Sequence, residues 1–234
     1  MKKVNLFLTL FSLNAVLVTI ERFSFTTKII LQPYSFLRLH EVVQMSLIIL
    51  FSAVIPFFLL KEITGNFETL KTRKGTLLGA LFIIGLYFYA TGNGVHEVAS
   101  YLFNTFCDTK HFKSVVCGSM FFNDYYFGNA LYFIGLFLTN VSLVALEIMR
   151  PQKKFTRKDL SIVAINGLVL ALTFFAYAAF DRVLVGLWFV VIAALVTDIL
   201  LLIYRRKIFS LPFTFYCALG YTLSAGASVL IRFH

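Results

Sequence analysis

The sequence predicts an all-α, polytopic integral membrane protein: one bundle of seven transmembrane helices over residues 1–234, with a cytoplasmic N-terminus and an outside C-terminus. Three observations carry this. Seven apolar windows are long enough to cross a bilayer. Only 14% of the residues are charged and 59% are hydrophobic, whereas soluble domains carry about 25% charged residues. Finally, the Lys and Arg residues are confined to the breaks between apolar windows and favour alternate breaks, 14 against 7. Because basic residues are retained on the cytoplasmic side, the richer side is assigned to the cytoplasm.

The first span, about 4–20, follows Lys2-Lys3 and lacks a small-x-small cleavage pattern before Glu21-Arg22, so it reads as a retained helix. Residues 23–39, aromatic and basic with Pro33, form an interfacial connection. The second span covers 41–60, with Pro56 near its end as a candidate kink. A basic turn leads to the third, 75–106, which is longer than a bilayer requires. The fourth covers 125–146, after a polar loop. Spans at 160–180, 183–204 and 209–231 complete the bundle, the last with Gly220, Ser224 and Ser228 at helical spacing for close helix approach. The net charge of +10 therefore reports topology. No basic stretch is interleaved with stacking aromatics outside a span, which excludes a nucleic-acid partner and leaves membrane lipids as the expected one.

Within this topology the polar residues of separate spans converge on one side. Glu21 ends the first span; His40, Glu41 and Gln44 open the second; Asn93, His96 and Glu97 lie toward the same end of the third; Asp124 and Asn129 begin the fourth; Asp181 follows the fifth. Tyr89, Asn93, His96 and Ser100 share one helical face by 3- and 4-residue spacing. Gly92 and Gly94 flank Asn93 immediately before the imidazole and are expected to loosen the helix and free carbonyls toward a cavity. On the other side, Glu147 and the deeper Asp198 are the main acids, Asp198 reading as an interhelical hydrogen-bonding or proton-relay group.

An imidazole preceded by about twenty uncharged residues of membrane helix is expected to be functional. His96 and His40 are therefore candidate metal ligands, with Glu97, Glu41 and Asp124 as candidate ligands or general bases and Asn93, Gln44, Tyr89 and Asn129 as substrate contacts. The expected activity is a metal-dependent hydrolase of the cell membrane acting on a lipid-like substrate, the cofactor being a divalent metal such as zinc. A receptor or carrier binding a small ligand in the same cavity, a structural subunit, and a haem subunit using His40 and His96 are the alternatives. The absence of Lys from the last span excludes a retinal Schiff base of the usual kind, and the absence of CxxC excludes zinc-ribbon and thioredoxin-type sites. Cys107 and Cys117, ten residues apart in one loop, are a candidate disulfide over the polar cluster.

Seven spans, an inside N-terminus and a polar outer site broadly resemble the architecture of the superfamily that joins alkaline ceramidases with progestin and adipoQ receptors. The resemblance is one of architecture and not of motif. The paired histidines such proteins carry in the last helix have no counterpart, since residues 209–232 contain none.

Overall fold

The computed structural model describes all 234 residues. It is 82% helical with no strands. Seven helices are long and apolar enough to span a membrane. They are α1 (Lys2–Ile20), α2 (Leu39–Ile63), α3 (Arg73–Phe106), α4 (Val115–Met149), α5 (Arg157–Ala178), α6 (Val185–Ile203) and α7 (Pro212–Phe233).

Local chemistry sets the boundaries. The side chains of Thr72 and Thr156 accept from the backbone N–H groups of Gly75 and Asp159, capping α3 and α5. Pro212 starts α7, where a missing N–H costs nothing. Helix α4 begins ten residues before the expected start at Tyr125, because the Ser114 hydroxyl accepts from Cys117 N–H and the apolar run Val115–Phe122 continues into the span. The intervening loop is closed by a Cys107–Cys117 disulfide. Helix α2 continues through Pro56.

The expected loosening at Gly92 and Gly94 does not occur: α3 is one continuous helix of 34 residues. Gly92 is instead a packing glycine. A Cβ there would overlap the backbone of Tyr132, and one at Gly135 would overlap that of Tyr89. Together with Gly85 and Gly128 these positions bring α3 and α4 into backbone contact. Gly94 faces open space. The irregular backbone lies elsewhere, in π-helical turns at Gln44–Ile48 of α2 and Asn123–Gly128 of α4. Both turns carry predicted site residues, a frequent place for such turns.

Contacts between helix ends give the topology. At one end Lys3 pairs with Glu62, and Asn5 donates to Asp159 at 2.6 Å. At the other, the Arg232 guanidinium caps α5 by donating to the carbonyls of Ala178, at 2.6 Å, and Asp181. The chain termini therefore lie at opposite ends of the bundle. On α6, Asp198 accepts from Thr222 of α7 at 2.8 Å, an interhelical hydrogen bond. The small-residue stripe of α7 does admit its neighbour: a Cβ at Gly220 would meet Leu170 at 2.6 Å.

Glu147 is fully buried at the N-terminal end of the bundle. It accepts from Phe213 N–H and Thr214 N–H, both at 2.8 Å, and from the Thr214 hydroxyl at 2.7 Å. A carboxylate here satisfies two otherwise free N–H groups of α7 and complements its dipole. Glu147→Ala leaves buried donors unpaired and is expected to cost roughly 3 kcal/mol or more. The readout is a lower Tm in lipid nanodiscs, with Glu147→Gln, which keeps one acceptor, losing less. An unchanged Tm for the alanine variant would show that α7 is anchored by other contacts.

Candidate functional site

At the end opposite the N-terminus the helices part around a two-compartment cavity. A polar vestibule of about 450 Å³ opens outward. A mainly apolar chamber of about 270 Å³ runs from it toward the middle of the bundle. Arg22, His96, Glu97, Asn129 and Tyr177 line both compartments and mark their junction.

The π-turn of α4 presents Asp124 to α3. His96 Nδ1 lies 2.9 Å from Asp124 Oδ1 and 3.0 Å from the Asp124 carbonyl oxygen. The Asp124 carbonyl accepts from Nδ1 and the Asp124 carboxylate lies beside it, an arrangement that favours the proton on Nδ1 and leaves Nε2 with its lone pair. Asn129 Nδ2 donates to the Asp124 and Tyr125 carbonyls at 3.1 Å, satisfying oxygens in the turn's irregular ladder. Thus Asn129 lines the cavity while its amide N–H groups serve the backbone.

His40 is similarly backed. Its Nδ1 pairs with Glu21 of the segment that ends α1, and its Nε2 lies 3.7 Å from Glu97 Oε2. The ligand atoms of His40, Glu41 and Glu97 all lie within 4.8 Å of one another, and the three residues are buried. One imidazole nitrogen and two carboxylates suit zinc or a similar divalent cation, and Glu21 on the remote nitrogen supplies the outer partner such ligands use. Glu41 is the less available donor. Its Oε1 accepts from Arg38 Nε at 2.8 Å and its Oε2 from Arg38 N–H at 2.9 Å. A cation at this position is held first by His40 and Glu97.

The predicted pair His40 and His96 thus line one vestibule but take different partners. His40 joins Glu41 and Glu97, whereas His96 joins Asp124 and is not in the three-residue group. Asn93 lines the inner chamber, and its Nδ2 has no hydrogen-bond partner. Tyr89 lines the same chamber, packed on Tyr132 at 4.6 Å between ring centroids. Ser100 lines the vestibule. Gln44 lines neither compartment; its amide donates to the Val18 carbonyl at 3.1 Å and ties α2 to α1.

Sequence reasoning treated Arg22, Arg38 and Arg182 as topology charges, and all three line the vestibule. The available signal was their position on the side otherwise poor in basic residues. Arg182 stacks over Tyr125 at 5.5 Å and Arg22 over Tyr177 at 6.0 Å. Asp181, placed by the sequence among the converging polar residues, lines the vestibule; burial pushes its carboxyl above the usual range.

Fold and site define a seven-helix, membrane-spanning bundle with a carboxylate-backed histidine cavity at one end. No family model, curated protein or solved structure matches the chain. Helix α7 carries no histidine, so the ligand pair of the superfamily whose architecture the span count resembles is absent, and no match supports the resemblance.

Proposed function

We propose that the chain is a membrane-embedded, metal-assisted hydrolase acting on an ester or amide bond of a lipid-like amphiphile. It would reside in the cell membrane, N-terminus in the cytoplasm, with the cavity in the outer leaflet. The observation that carries the reading is position: His96 and Glu97 stand where an apolar chamber meets a polar vestibule, and His40 faces Glu97 from the vestibule side. An amphiphile with its chain in the chamber places the bond between chain and head at these residues.

A divalent metal, held by His40 and Glu97 with Glu41 in reach, would supply Lewis-acid polarisation of the substrate carbonyl. His96, its Nδ1 proton fixed by Asp124, offers Nε2 to accept a proton from attacking water and return it to the departing oxygen or nitrogen. Water adds to the carbonyl, the bond to the head breaks, and the products are an acid and an alcohol or amine. The apolar chamber walls keep bulk water from the acyl chain. On purified protein in nanodiscs, chelation is expected to abolish hydrolysis of an acylated ester or amide series and zinc to restore it. A metal-free protein inert toward the whole series would overturn the reading.

One observation favours binding without reaction, as in a receptor or carrier. Arg38 already neutralises Glu41, which weakens the pull on a cation. A ligand recovered intact after incubation would select this second reading.

A further inference from the structure

We propose that the cavity receives an acidic amphiphile sideways from the bilayer, between α1 and α5, and that Arg22 recognises its anionic head. The proposal names the ligand class for the site above and rests on that reading only for the fate of the ligand, not for its binding.

The route follows from where α1 and α5 are joined. Toward the N-terminal end they are tied by side chains: Asn5 to Asp159 at 2.6 Å, Asn166 Nδ2 to Thr9 Oγ1 at 3.0 Å, and Ser12 Oγ to the Asn166 carbonyl at 3.1 Å. Beyond Ser12 no side-chain hydrogen bond links the two helices. There Val18, Thr19 and Arg22 of the α1 side face the chamber together with Thr173, Ala176 and Tyr177 of α5. Of the chamber-lining residues, Arg22, Phe23 and Ala176 are the exposed ones, and all stand at this seam. Phe23 is 87% exposed, an apolar rim suited to lipid.

The head-group assignment follows from charge. Three of the cavity's four acids have partners: Glu41 has Arg38, Asp124 has His96, and Glu97 faces His40, while Asp181 leaves its Oδ2 without a hydrogen bond. Arg22 forms no ion pair and no hydrogen bond, and its guanidinium lies over the face of Tyr177. It is thus a cation with its donors free, at the junction of both compartments. A carboxylate or phosphate can take two of those donors at once. Asn93, buried and with Nδ2 unpartnered in the chamber wall, adds a polar contact for the carbonyl of an acyl chain.

The test is equilibrium binding to the full chain in phosphatidylcholine nanodiscs. The probes share a C16 chain: palmitate, palmitoyl lysophosphatidate, and the neutral 1-palmitoylglycerol. At least one acidic probe is expected to bind about tenfold more tightly than the neutral one. Arg22→Gln is expected to remove that difference, and Arg22→Lys to restore part of it. The tighter acidic probe tells whether a carboxylate or a phosphate is the natural head. Ala176→Trp is expected to slow association of all three. Equal binding of acidic and neutral probes, or an Arg22→Gln protein that keeps the preference, overturns the head-group assignment. Unchanged association in Ala176→Trp overturns the route. Hydrolysis of a neutral ester is scored in parallel. In the unsubstituted chain, no acid preference with hydrolysis intact rejects this proposal alone; a clear preference with no hydrolysis of either ester probe rejects the hydrolase alone.

Discussion

Gly92→Val is expected to lower the Tm severely, by the equivalent of about 3 kcal/mol or more, while Gly94→Val two residues away is expected to be tolerated. The contrast is steric. A Cβ at Gly92 would overlap Tyr132 backbone atoms, which cannot move aside as a side-chain tip can. At Gly94 nothing lies within 4 Å. The damage extends to the site, because a Cβ at Gly128 would fall 2.8 Å from His96 N, so the same helix contact positions His96 against Asp124. Thermal unfolding of both variants in nanodiscs, with size-exclusion profiles, checks this. Equal losses at the two positions would mean that α3 and α4 do not meet as described.

The second large effect is on turnover. Glu97→Gln and His40→Ala are each expected to reduce hydrolysis by about 10²–10⁴-fold. Glu97→Gln changes shape little, yet it removes the negative charge facing His40 Nε2. Asp124→Asn is expected to act through His96: the backbone carbonyl of residue 124 still accepts from Nδ1, but the negative charge that favours a protonated imidazole is gone. Its signature is a shifted pH–rate profile with substrate affinity retained. Glu97→Gln with normal turnover and normal metal content would remove Glu97 from the chemistry.

Much of the architecture was legible because membrane physics writes it coarsely. Hydrocarbon demands about twenty apolar residues per crossing and expels charge to the breaks. Residues 75–106 can therefore be read as one span despite their length, and Glu21, His40, Glu97 and Asp124 can be placed at one end from the sequence. Finer matters depended on which neighbour each residue meets. The pair Gly92 and Gly94 looks symmetrical in sequence, but only one faces α4. The π-turns have no marker in the pattern of apolar residues, yet they aim Asp124 at His96. Arg22 could not be told from a solvated boundary cation, since its meaning comes from a cavity built by five helices. Gln44 opens α2 beside His40 and Glu41, but its amide is taken by the Val18 carbonyl of α1 and does not line the cavity.

The most direct measurement addresses the meeting of α2 and α3 across the vestibule. In a Cys217→Ser background, the full chain carrying His40→Cys and Glu97→Cys is treated in native membranes with a short bifunctional thiol reagent. The expected result is an intramolecular cross-link, with both thiols blocked by a membrane-impermeant reagent from the same side. Labelling of the two positions from opposite sides of the membrane, without cross-linking, would contradict the site and the topology together.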